Sequence, residues 1–213
     1  MAVHGVHRIP AAAGSGLGAF LARHPQLSNL NLKNSPGLLT PKGLAGLSDG
    51  LGRAKLPQLQ VLNLDNCDIQ SEAAFDLGRL LARCPALCEL KLWSNPGLMT
   101  ANGLDGLKQG LGSASLPGLT RLHLGGCDIQ ASAAEALGTL LARSARLELL
   151  GLSLNRFLLT NEGLEGLQRG LGGGGLPELR ELLAYRALSA RGPAAREAVV
   201  RKLGAAAECV VRA

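Results

Sequence analysis

The chain has 213 residues, 46% of them hydrophobic and 2% aromatic, with 29 glycines, 10 prolines and a net charge of +6. This is enough to bury a continuous core, built of necessity from Leu, Ala, Val and Ile, and no apolar run reaches the length of a membrane span. The charge sits at the ends: residues 1 to 48 carry Arg8, Arg23, Lys33 and Lys42 with no acid, and residues 186 to 213 carry six basic residues against Glu197 and Glu208. No continuous basic stripe of the kind a nucleic-acid groove needs is left, so no nucleic-acid partner is expected.

The start, MAVHGVHRIPAAAGSG, has no signal-peptide core. It is basic and acid-free like a transit peptide, but from Ile9 it already belongs to a repeat. IPAAAGSGLGAFLARHP (9–25) aligns, sixty residues on, with IQSEAAFDLGRLLARCP (69–85), sharing Leu17, Gly18, Leu21, Ala22, Arg23 and Pro25. The chain therefore opens on the helical half of a repeat. Its strand would fall at residues 1 to 6, where Ala2 and His4 replace leucines, and such an exposed sheet edge invites association.

The sixty-residue period then runs on through Pro57, Pro117 and Pro177, and through Leu30, Leu90 and Leu150. Fixed-period self-similarity is the signature of a solenoid. Each unit splits into two related halves. One reads LPQLQVLNLDNCDIQSEAAFDLGRLLARC (56–84) and recurs at 116–144; the other reads PALCELKLWSNPGLMTANGLDGLKQGLGSAS (85–115), with relatives at 25–55 and 145–175.

Both halves contain L-x-x-L-x-L. Leu62 and Leu64 alternate with Val61, Asn63 and Asp65, which predicts a strand with one face buried. Ala73, Leu77, Leu80 and Leu81 are spaced three and four apart, which predicts a helix. Thr40, Thr100 and Thr160 suit N-caps, and Gly52, Gly112 and Gly172 suit helix ends. The second helix type, G-L-x-G-L-x-x-G-L-G, carries glycine nearly every turn, at a cost of up to ~1 kcal/mol each relative to Ala. Close approach of neighbouring helices and simple compositional drift both account for it.

Toward the end Leu179 and Leu182 persist, while Ala184 and Ala187 replace Leu and the turn residue. Pro193 then opens a predicted helix with Val199, Val200, Leu203, Ala207 and Val210 on one side. The expected organisation is a degenerate half-repeat over 1–24, alternating half-repeats over 25–176, and a capping repeat with a helix over 177–213.

On these motifs the chain resembles the leucine-rich repeat family over nearly its whole length. It is most similar to the ribonuclease-inhibitor-like class, which alternates Cys and Asn at the turn position. Here that position reads Ser35, Cys67, Asn95, Cys127, Asn155 and Ala187. The longer turns (SPGLLT, NPGLMT, NRFLLT) and the glycine-rich helix depart from the pattern. The resemblance implies an α/β leucine-rich repeat solenoid: a right-handed horseshoe with a parallel concave sheet and convex helices. It implies protein binding without chemistry and without a cofactor. An alternative in another class, a GTPase-activating accessory, follows from resemblance to the activators of the nuclear-transport GTPase Ran, and rests on fold analogy alone.

The five cysteines are odd in number. Cys67 and Cys127 read as buried small hydrophobes at a packed turn, and reduced thiols fit an intracellular, cytoplasmic protein; an organelle stays open. Cys84 and Cys88 lack a second ligand pair, and His4, His7 and His24 lie near a loose end, so no metal site is expected.

If the strands are placed correctly, the x residues of L-x-x-L-x-L form the concave face. The candidate protein-binding set is Lys33, Asp65, Glu89, Lys91, Trp93, Arg121, His123 and Tyr185. The only Trp and the only Tyr fall there at one register, and Trp, Tyr and Arg are the commonest interface anchors. Trp93 reads as an anchor flanked by Lys91 and Arg121, against the alternative of a ring lying along the sheet half covered by Lys91. No nucleophile with a matched base is visible.

Overall fold

The computed structural model describes residues 2–3, 8–114, 116–187, 193–205 and 210–212. Among them one open parallel sheet of eight strands follows chain order. The strands are β1 (Ala2–Val3), β2 (Asn29–Asn31), β3 (Val61–Asn63), β4 (Glu89–Lys91), β5 (Arg121–His123), β6 (Leu149–Gly151), β7 (Glu181–Leu183) and β8 (Val210–Arg212). The helices between them are α1 (Gly14–Arg23), α2 (Pro41–Leu51), α3 (Ala74–Leu81), α4 (Ala101–Leu111), α5 (Ala134–Leu141), α6 (Asn161–Leu171) and α7 (Pro193–Lys202).

Register follows the repeat without slippage. Leu30 pairs with Leu62, Leu62 with Leu90, Leu90 with Leu122, Leu122 with Leu150, and Leu150 with Leu182. These leucines are buried, and so are Leu77 and Leu81 of α3. Sheet and helices thus share one core, and the sheet's other face stays open. A one-residue slip would turn every strand leucine to the wrong side.

The turn position carries the inter-repeat hydrogen bonding. Asn95 is fully buried. Its Oδ1 accepts from the Cys67 and Ile69 N–H groups, and its Nδ2 donates to the carbonyls of Leu64, Leu92 and Trp93. Asn155 repeats the pattern against Ile129, Leu124, Leu152 and Ser153. The Cys67 and Cys127 thiols, which alternate with them, donate to the carbonyls of Leu32 and Leu92 at 3.2 Å. An amide satisfies five backbone groups that bend away from regular pairing, and a thiol fits where less is needed.

Thr40, Thr100 and Thr160 cap their helices, each hydroxyl accepting from the N–H three residues on. The glycines of the second helix type are there for close approach. Helices pack in pairs, α1 on α2, α3 on α4 and α5 on α6. A Cβ on Gly78 would stand 2.4 Å from the Leu107 carbonyl oxygen, and one on Gly110 would stand 2.0 Å from that of Phe75. Gly18 with Gly50 and Gly138 with Gly170 repeat the contact. Between pairs, Arg83 donates to the Gly52 carbonyl and Arg143 to the Gly112 carbonyl, both at 2.7 Å. Each guanidinium sits at the C-terminus of the preceding glycine-rich helix, where cations are favoured.

Two findings concern the ends. Ala2–Val3 pairs with Asn29 and Leu30, so the expected degenerate strand is present at the first edge. The last helix is shorter than its apolar spacing predicts, and Val210 is not on it. The Gly204 N–H donates to the Arg201 carbonyl and the Ala205 N–H to that of Val200, with Gly204 at φ 59°. This left-handed stop ends α7. Val210 belongs instead to β8, which pairs with β7. The predicted Ala207 position lies outside the described residues.

Candidate functional site

The open face of the sheet is built by the residues that flank the buried strand leucines. Their arrangement is fixed by register, so side chains about thirty residues apart in sequence meet.

At the centre, Glu89 on β4 is held by two neighbours. Its Oε1 lies 3.1 Å from His123 Nε2 on β5 and 3.4 Å from Lys91 Nζ on its own strand. Arg121 on β5 is exposed. Asp65, just beyond β3, does not pair with Glu89. Its Oδ1 accepts from the Trp93 N–H at 2.9 Å and so fixes the backbone that carries the indole. Lys33 is exposed, its backbone N–H donating to Asn31 Oδ1.

Trp93 lies along the sheet rather than standing off it. A Cβ on Gly125, on the next strand's turn, would fall 2.3 Å from Trp93 Cζ2 and 2.4 Å from Cε2. The ring therefore rests on bare glycine backbone, and Lys91 Nζ is directed to Glu89 Oε1. Gly125 is the residue that makes this platform possible; its L-x-x-L-x-L spacing puts it on the concave face but gives it no role there. The matching positions Lys33, Asp65, Ser153 and Tyr185 all carry side chains, and any of these at 125 would have lifted the ring. Tyr185 is 48% exposed, and its N–H donates to Ser153 Oγ.

No acid–base pair with a nucleophile is assembled among these groups, and among the described residues no three His, Cys, Asp or Glu side chains cluster as metal ligands. His24 stacks on Phe20 with ring centroids 4.1 Å apart, and its Nδ1–H donates to the Phe20 carbonyl. His4 and His7 lie outside the described residues. The described cysteines are all unpaired. Burial pushes the Cys67 and Cys127 thiols up to about 11 and the Cys84 thiol up to about 12, so these are packing groups and not nucleophiles at neutral pH.

Residues 117–138, which run from the entry into β5 through the turn to α5, match the family described as Leucine Rich repeat. The match and the strand–helix stacking together make the fold that of a leucine-rich repeat solenoid. One relative is NACHT, LRR and PYD domains-containing protein 3 of Macaca mulatta, 34% identical over 87 residues. That match covers 41% of this chain and 8% of the relative, so the leucine-rich repeat chain spans a small part of the length of the protein it matches. No helix among the described residues of this leucine-rich repeat solenoid is long and apolar enough to cross a membrane.

Proposed function

We propose that this leucine-rich repeat chain is a non-enzymatic scaffold that binds a protein partner on the concave face of its sheet. The single observation that carries the reading is the Trp93–Gly125 platform. The chain's one Trp is spread flat over glycine on the open face, among Lys91, Arg121, His123 and Glu89. A broad, rigid indole costs little conformational entropy when a partner covers it, which is why such rings dominate interfaces. Lys33 and Asp65 on one side and Tyr185 on the other extend the candidate surface along the solenoid.

We also infer membership of the ribonuclease-inhibitor-like class, from the helix in nearly every repeat and the alternation of buried Cys and Asn at the turns. The division into a first half-repeat over 1–24, a repeat body over 25–176 and a terminal cap over 177–213 belongs to the same reading. Unpaired thiols at Cys67, Cys84, Cys88 and Cys127 support an intracellular, cytoplasmic location.

The test is capture of partners from the source cell, comparing the native chain with a Lys91→Glu, Trp93→Ala variant whose melting curve is checked alongside. Specific partners should be lost from the variant while the fold is kept. Undiminished capture by a folded variant sinks the concave-face reading.

A further inference from the structure

We propose that the turns after β4 to β7 form a binding rim for a partner segment that presents an apolar side chain flanked by carboxylates. The proposal rests on the protein-binding reading above and deepens it by naming the chemistry of what is held.

The chain's own repeat is the control. Three residues past each of β2 to β7, the matching position adopts a left-handed backbone: Asn34, Asn66, Ser94, Gly126, Leu154 and Arg186, with φ between 53° and 66°. The first four are the small or polar types that tolerate this region. Leu154 is not. A branched apolar residue there is strained, and its side chain is 44% exposed, so it gains no core contact in return. Strain with no packing purpose points toward function.

The same turn departs a second time. Where the other long turns read Pro36-Gly37 and Pro96-Gly97, this one reads Arg156-Phe157. Glycine lets a neighbour pack closely in the other two. A Cβ on Gly97 would meet Gln70 Oε1 at 2.4 Å, and one on Gly37 would meet Ile9 and Ala11 backbone at 3.3 Å. Phe157 instead stands 40% exposed, with the Arg156 guanidinium 4.7 Å above its ring.

The departures are neighbours. The Leu154 N–H donates to the Tyr185 carbonyl at 2.8 Å. On the other side, a Gly126 Cβ would lie 3.8 Å from Trp93 Cε3 and 3.9 Å from Leu154 Cδ1. Gly126 is thus a floor between the indole and the leucine. Trp93 and Leu154 flank Gly126, and the exposed Tyr185 follows on the next turn, with Phe157 in the turn of Leu154.

Charge selects the occupant. Arg121, Arg156 and Arg186 have no carboxylate partner among the described residues, whereas Glu89 is held by Lys91 and His123, and Glu181 by Arg212. Residues 124–130, 152–160 and 184–187 contain a single acid, Asp128. An apolar side chain with adjacent carboxylates matches that surface. An exposed aliphatic Leu154, and a Phe157 face already occupied by a guanidinium, favour peptide over stacked nucleobases.

The test is selection of phage-displayed random dodecapeptides on the immobilised full chain, followed by fluorescence polarisation of the enriched peptides. Leu154→Asn and Phe157→Gly install the repeat's own residues, so both variants keep the fold. The selected pool should combine aliphatic or aromatic residues with Asp or Glu. Affinity should fall about tenfold or more with Leu154→Asn/Phe157→Gly, and also with Arg156→Glu. Phe75→Ser on α3, which is exposed on the helical side, should leave it unchanged. Equal binding to the double variant, a pool without acids, or no retained peptide overturns the proposal. So does tight binding of a labelled uridine dodecamer that is insensitive to Leu154→Asn. Peptides lost with Trp93→Ala/Lys91→Glu but kept by Leu154→Asn sink the rim and leave the concave-face reading standing. Peptides lost with neither sink both.

Discussion

Replacing Gly110 by Ala should destabilise the protein, although helix propensity alone says the reverse. Gly110 lies inside α4, where Ala is favoured over Gly by ~1 kcal/mol. The added methyl would stand 2.0 Å from the Phe75 carbonyl oxygen and 3.0 Å from Gly78 Cα. An ordinary carbon–oxygen contact begins near about 3.3 Å, so α3 and α4 would have to part by roughly 1.3 Å. The struck atoms are backbone, with no rotamer to yield. Overpacking of this kind costs about 1–3 kcal/mol, which outweighs the propensity gain. Gly16→Ala is the internal control: it lies within α1 with nothing within 4 Å of the new methyl. That variant should gain up to about 1 kcal/mol. Urea unfolding followed by circular dichroism reads both changes. The close-approach account of the glycines fails if Gly110→Ala proves as stable as the native chain, or more so.

Leu154→Asn should raise stability by about 1 kcal/mol in the same assay, because Asn34 and Asn66 already occupy this backbone conformation without strain; a loss of stability would remove the case for stored strain. Asn95→Ala should cost about 3 kcal/mol or more, since it orphans the Cys67 and Ile69 N–H groups and the Leu64 carbonyl in a dry interior, while the Leu92 and Trp93 carbonyls keep the Cys127 thiol and the Asn66 N–H, and a calorimetric melting point close to native would contradict this. Burial raises the Cys67, Cys84 and Cys127 thiols above their ordinary 9.0. Above that pH the unfolded chain therefore releases protons that the native chain retains. Stability should be full below pH 9 and fall as pH rises toward 11, by up to about 4 kcal/mol per unit for three thiols, and a Cys67→Ala/Cys127→Ala variant should show a shallower fall. An unchanged slope in that variant would mean other groups control alkaline unfolding.

Much of this protein is local and therefore readable from its residues. The L-x-x-L-x-L alternation sets which strand residues turn inward, the threonines find N–H groups three residues away, and the Cys and Asn turns recur at fixed spacing. The first two do not depend on which neighbour lies alongside, whereas the Cys and Asn turns recur in sequence because each bonds back to the repeat before it. The Gly204 stop, read from sequence as part of a longer helix, shows the limit even locally: apolar spacing continued past a residue whose backbone ended the helix. What only tertiary structure decided is whatever depends on the next repeat. The helical glycines could not be assigned until Gly78 and Gly110 were found across one interface. Trp93 could stand or lie until Gly125 was found beneath it. Leu154, Arg156 and Phe157 are plain departures in the sequence, but their contiguity with Trp93 and Tyr185 comes from stacking register. Sequence periodicity fixes each residue's place within its own turn. Contacts across the solenoid join residues about thirty positions apart, and only the packed sheet brings them together.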